Sequence, residues 1–271
     1  MTSGVRKFTF AGEEAILIAE LILRTEPIGV KRLFPEMDPG REGIPQLTLP
    51  GSRTREKGFP LLFAQNLLLS LPPHPPLRVP TLLVPCAGFV GIFADERETP
   101  PALEQALLDT LAGIRRPEAG CVFYLGQNLA QAPAGWARAH GLSLLGAGAG
   151  YEDTISVEAN LRRSGGSVLP AWLFRFLPLE ERLSSPAKDL PLVERRWLSL
   201  ACALAARPRL LLLHRPLEGL PPLPEQALLE RLVRINLEEG IAFCFTAASG
   251  SLAQAAAASL YRIGSGLLLA A

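Results

Sequence analysis

One stretch constrains the fold more than any other: residues 197–220, WLSLACALAARPRLLLLHRPLEGL. Leu198, Leu200, Ala201, Leu204 and Ala205 recur at helical spacing and give one apolar face. Arg207-Pro208 then stops the helix, because proline lacks the donor and disfavours α geometry in the residue before it. The run 210–213 is all leucine, which fits a short strand covered on both faces. His214, Arg215 and Pro216 follow at that strand's carboxyl end, where open α/β sheets place their ligand chemistry.

The rest of the chain has a matching rhythm from about residue 58. The pattern predicts strands over 61–70, 79–84, 89–93, 121–125, 142–145 and 241–246, and a terminal hairpin from 260–263 and 267–269 around Gly264-Ser265-Gly266. Helices are expected over 102–112, 136–140, 156–163, 169–176, 190–206, 225–238 and 252–258. Pro72, Pro73, Pro75 and Pro76 read as a turn too proline-rich for either element. Helices alternating with short apolar strands argue an α/β sheet with helical cover. Residues 1–57 read as a separate arm or small subdomain, ahead of a main domain over 58–271. Its segment 12–24 carries Ile16, Leu17, Ala19, Leu21, Ile22 and Leu23 around more than half a helix, so it needs burial against the main domain or another chain.

Composition removes several classes of function. The 27 basic and 26 acidic residues leave no cationic excess for nonspecific nucleic-acid binding. Cys86, Cys121, Cys202 and Cys244 lie far apart, mostly inside apolar runs, and suggest buried thiols in a reducing compartment. His74, His140 and His214 are scattered, so no histidine-based metal site is legible and no metal is expected. No segment reaches the roughly 20 apolar residues of a membrane span. The start of the chain lacks the pattern of a signal peptide, since Glu13 and Glu14 precede its apolar run. The expected location is therefore the cytoplasm, with no direct membrane insertion.

Several stretches, in order, resemble the nucleotide-binding domain of ATP-binding cassette (ABC) transporters. Leu111-Ala112-Gly113, Arg116-Pro117-Glu118-Ala119-Gly120 and Gly126-Gln127-Asn128-Leu129 are similar to the family's helix end, turn and strand after the phosphate loop. Residues 155–161, ISVEANL, look like the stretch after the glutamine loop, and 194–208 like the helix after the signature. The resemblance covers about 58–271 and implies a P-loop NTPase-like mixed sheet with helical cover, to which the N-terminal arm is an addition.

The functional positions that the resemblance marks carry other residues. The phosphate loop G-x-x-x-x-G-K-S/T needs glycines whose N–H groups converge on phosphate and a lysine that neutralises it. The aligned run is Ala94 to Pro101, ADERETPP, with Pro100 at the lysine position and Pro101 at the magnesium-binding hydroxyl. Asp95, Glu96 and Glu98 would repel a triphosphate, and Thr99 with Pro100 reads as a helix cap and first turn. The glutamine-loop position falls at Gly146, in a run GAGAG that lacks the lysine and helix of a phosphate loop and reads as a flexible loop. Tyr151, Glu152 and Asp153 after it become candidates for contact with a permease. The signature becomes Leu190-Pro191-Leu192-Val193-Glu194, the metal-organising and general-base acids become His214 and Arg215, and the switch histidine becomes Ala247.

The resemblance therefore implies a pseudo-ATPase with no catalytic residues and no bound cofactor. Its expected role is structural or regulatory, beside an active ABC ATPase, a transmembrane permease, or both, at the inner face of the membrane; a homodimer is a further arrangement. Lipid or another hydrophobic cargo is suggested by similarity to short, importer-like and lipid-transport cassettes. Two other classes stand beside this one: a soluble scaffold on the same fold, and an enzyme repurposed around His214. Charge alone suggests that Arg215 pairs with Asp95, Glu96 or Glu98.

Overall fold

The computed structural model describes residues 60–271 apart from Glu96, Ala147, Ala149, Ser167, Gly250 and Leu252. The arm's helix lies outside the described residues, as does the proposed division at residue 57.

The described residues begin with a long hairpin, β1 (Pro60–Leu71) and β2 (His74–Pro85). β3 (Phe89–Ala94) leads to helix α1 (Pro101–Leu111), then β4 (Ala119–Tyr124) and the two-residue β5 (Gln127–Asn128). A short helix α2 (Trp136–Ala139) precedes β6 (Leu142–Leu145). Three helices follow, α3 (Val157–Gly165), α4 (Ala171–Phe176) and α5 (Leu192–Ala205), with 3-10 turns at Glu180–Arg182 and Ala187–Asp189 between the last two. β7 (Leu210–His214), α6 (Pro222–Glu239), β8 (Ala242–Ala248), α7 (Ala253–Ala256), β9 (Ser259–Gly264) and β10 (Leu267–Ala270) complete it.

All ten strands join one sheet in the order β5-β4-β1-β2-β10-β9-β3-β8-β7-β6. Its two halves differ in kind. β6, β7, β8, β3 and β9 run parallel, and β3 and β8 are buried almost throughout. This is the continuous apolar pattern that a sheet covered on both faces demands. β1, β2, β4 and β5 pair antiparallel, with alternating burial along β1. α1 packs against both halves, on β1 and on β7. Leu103, Leu107, Leu108 and Leu111 of α1 share one core with Leu62 and Ala64 of β1 and with Leu210 and Leu212 of β7.

Two boundaries differ from the sequence expectation. β2 starts at His74, so it includes Pro75 and Pro76. Both are exposed and fall in a register shift, between Leu71↔His74 and Leu69↔Leu77, where no ladder bond is required of them. The start of α1 is also displaced by one residue: Pro100, not Thr99, is the N-cap, and Pro101 opens the helix. Thr99 instead donates its backbone N–H to the Asp95 carbonyl, at 2.8 Å. Ser156, by contrast, caps α3 as its position predicts, accepting from Ala159 N.

Candidate functional site

The carboxyl ends of β3, β7 and β8 and the start of α1 meet at one edge of the parallel half. The register fixes the arrangement: His214 lies opposite Thr246, and Ala247 opposite Phe93. The loop of residues 97–100 leads into α1.

That loop is closed upon Asp95. The backbone N–H groups of Glu98 and Thr99 donate to the Asp95 carbonyl at 3.0 and 2.8 Å, and that of Arg97 donates to Asp95 Oδ1 at 2.9 Å. Pro100 and Pro101 have no N–H to offer. Three donors of the segment thus converge on the chain's own aspartate. Glu98 Oε2 accepts from Ser265 N at 3.1 Å, which ties the loop to the β9–β10 turn.

β7 ends in two cationic or titratable side chains with different duties. His214 Nε2 lies 3.1 Å from the Pro101 carbonyl; since a carbonyl only accepts, this nitrogen carries the proton. Arg215 turns back into the protein with a positive φ of 43°, and its N–H donates to Thr246 Oγ1 at 3.2 Å. Its guanidinium grips Glu104 of α1 with two bonds, Nε to Oε2 at 3.0 Å and Nη2 to Oε1 at 2.7 Å. Nη1 reaches Glu218 Oε1 at 3.1 Å. The Arg215 side chain is 3% exposed and that of Glu104 0%. A bidentate pair of this kind cross-links β7, β8 and α1 from within. Among the described residues the acids that hold Arg215 are Glu104 on α1 and Glu218 beyond β7. Of the loop acids expected to pair with it, Asp95 and Glu98 bond backbone N–H groups; Glu96 lies outside the described residues.

Glu104 is the residue that sequence reading missed. A signal for it exists, because Glu104 falls on the same helical stripe as Leu107, Leu108 and Leu111, all fully buried. A carboxylate on a core-facing stripe demands a buried cation, and Arg215 is the only arginine in the described chain that its apolar surroundings hold below one-tenth exposure. Thr246, also buried, was passed over for the same reason: it stands inside an apolar strand.

The remaining candidates form two further groups. Gly146 sits at the end of β6, where an added Cβ would lie 2.8 Å from Gln105 Nε2, so it packs on α1. Tyr151, Glu152 and Asp153 belong to a surface loop built on Asn160, which is 1% exposed. The Asn160 amide accepts from Glu152 N at 2.8 Å and donates to the carbonyls of Glu152 and Ser156 at 2.9 and 3.2 Å. Arg163 pairs with the Glu152 carboxylate. This pairing and a bond from Thr154 hold that carboxyl below its usual range, while burial pushes the Tyr151 phenol up.

Leu190 to Glu194 enter α5, with Pro191 as N-cap. Arg195 Nε bonds the Leu190 carbonyl at 2.8 Å, Glu194 pairs with Arg182 at 3.0 Å, and Leu192 is 54% exposed. One residue of this helix reaches the strand ends: Arg196 Nη2 donates to the Glu218 carbonyl at 3.1 Å. Ala247 is buried at the end of β8. The thiols divide evenly. Cys202 and Cys244 are buried, which raises them to about 11 and about 12, but Cys86 is exposed and Cys121 half-buried, contrary to the expectation of general burial. Among the described residues no three His, Cys, Asp or Glu side chains are grouped to hold a metal ion.

Solved structures with this architecture are ABC cassettes. The ADP conformation of MJ1267, an ATP-binding cassette of an ABC transporter, superposes with a TM-score of 0.65 at 13% identity, over 78% of this chain and 90% of that one. CbiO1 from Clostridium perfringens, part of the ABC transporter complex cbiONQ, gives 0.65 at 14% identity, over 78% and 87%. An ATP-binding subunit of an ABC transporter gives 0.62 at 20% identity, over 77% and 88%. No protein-family model and no curated protein matches the sequence. The chain has the fold of an ABC ATPase domain, a P-loop NTPase fold, as its sequence motifs imply. Among the described residues no helix is long and apolar enough to cross a membrane.

Proposed function

We propose that this chain is a non-catalytic, ABC-like subunit: a pseudo-ATPase that pairs with an active ATP-binding cassette, a permease, or both, and acts by docking and positioning. The observation that carries the reading is the Arg215–Glu104 pair. It places a guanidinium, fully engaged by carboxylates, where the resemblance puts the general base, and it locks α1 to β7 without a ligand. The N–H groups of Arg97, Glu98 and Thr99 are already spent within the loop, one on the Asp95 carboxylate and two on its backbone carbonyl, which supports the same reading, as a triphosphate would have to compete for them. Among the described residues His214 is bonded to the Pro101 carbonyl rather than to a carboxylate or nucleophile, which weighs against the repurposed-enzyme alternative.

The partners follow from the fold's relatives. Cassettes such as cbiO1 belong to transporter complexes, and MJ0796 has been captured as a dimer with ADP and Pi. Here the loop 151–156, preorganised by Asn160, offers the surface for a permease. Co-expression with a candidate permease and an intact cassette tests this. The expected outcome is a stable complex whose ATP turnover disappears when the intact cassette's phosphate-loop lysine is replaced. A complex that keeps hydrolysing ATP after that replacement contradicts the proposal.

A further inference from the structure

A narrow crevice lies beside His214, between the end of β6, α5 and α6. Its walls are mainly leucines from these elements, interrupted by Arg196, Ser199 and His214 and by the backbone of Gly146 and Gly148. Among the described residues no carboxylate lines it.

Glu218 decides the charge of this crevice. It gives its carboxylate to Arg215 and only its carbonyl to Arg196. Arg215 is thereby neutralised by two acids, whereas Arg196, half-buried, has no carboxylate partner among the described residues. Arg195 next to it likewise bonds only carbonyls, those of Leu190 and Lys188. A guanidinium has five donors, and one bond to a carbonyl leaves most of them unassigned. Against apolar walls, where the effective dielectric is low, such a charge favours an anion far more than it would in water. The Ser199 hydroxyl, which donates to the Arg195 carbonyl, presents its lone pairs and can re-aim its proton, and glycine lets the chain approach closely. The enclosed part of the crevice is about 20 Å³, of the order of one or two water sites, and it opens to solvent. A compact tetrahedral anion fits with part of itself outside; a nucleoside does not.

We infer that this crevice binds a small oxyanion, inorganic phosphate or the phosphoryl end of a small monoester, through Arg196. The site is distinct in ligand from a nucleotide site and does not depend on the absence of catalysis.

Thermal unfolding of the full chain, titrated with potassium phosphate against potassium chloride of equal ionic strength, tests it. Phosphate is expected to raise the midpoint saturably. Arg196→Gln is expected to weaken the effect about tenfold or more, the worth of one charged hydrogen bond. Arg162→Gln, which removes a surface pair with Glu158, leaves it unchanged. Phenyl phosphate distinguishes the sources: an effect exceeding that of phosphate assigns the site to a monoester, an equal or smaller one to the free ion, and both support the proposal. Should Arg196→Gln prove unstable, Arg196→Lys keeps the charge and loses the fork, and phosphate binding is expected to fall only partly. The inference is overturned by the lack of a saturable effect over chloride, or by one that survives Arg196→Gln. It is separable from the pseudo-ATPase reading, which magnesium-ATP binding alone would overturn.

Discussion

Glu104 and Arg215 show at the scale of single residues why a buried ion pair has to be judged by its removal. As a pair they are close to neutral against apolar residues of similar volume, because desolvation offsets their attraction. Glu104 without Arg215 is an uncompensated charge in the core, and Arg215 without Glu104 loses its bidentate partner while keeping Glu218. Glu104→Gln and Arg215→Met are each expected to destabilise the chain by about 3–5 kcal/mol, and Glu104→Leu with Arg215→Met together by much less. Urea denaturation of the four proteins checks this, and additive losses would contradict it. The thiols give a second residue-level prediction. Cys86 is expected to react with a thiol reagent at once and Cys121 more slowly, whereas Cys202 and Cys244 react only on unfolding, since burial keeps them protonated. Counting labelled cysteines by mass over time decides it. At this scale the sequence was least informative. His214 and Arg215 were identifiable as an altered strand end, but the acid that answers Arg215 lies 111 positions away on α1, a separation that only the fold closes.

At the scale of elements most of the chain was legible. Strands and helices from β1 to β10 fall close to their expected places because their apolar periods are strong, and β6 was placed to the residue. The misreadings sit where proline has two meanings. Pro75 and Pro76 look like a strand breaker, yet they are accommodated because the register shift beside them asks for no donor. Pro100 looks like the first helical residue, yet Pro101 takes that place and Pro100 becomes the cap. One close approach could not be read at all. An added Cβ at Gly165, in α3, would lie 2.6 Å from the Ala205 carbonyl of α5, a backbone atom that cannot swing aside. Gly165→Ala is expected to lower stability by about 1–3 kcal/mol through the shift it forces between the two helices. A melting temperature equal to that of the parent would contradict this.

Residues 60–271 form a cassette fold whose strand-end edge is held by its own side chains. Its response to pH follows from its buried acids. Cys244 and Tyr124 are both pushed up to about 12 by burial, from 9.0 and 10.0, so the folded state holds these protons more tightly than the unfolded chain. Their contribution is complete below pH 9 and is lost as pH rises from there towards 12. A melting temperature that falls across this window is expected, and a flat profile would contradict it. The central claim concerns the strand-end edge, and magnesium-ATP titrated calorimetrically into the isolated chain tests it most directly. The account predicts no saturable heat up to millimolar nucleotide, with parent and Glu104→Gln alike. Micromolar binding by the parent would contradict it.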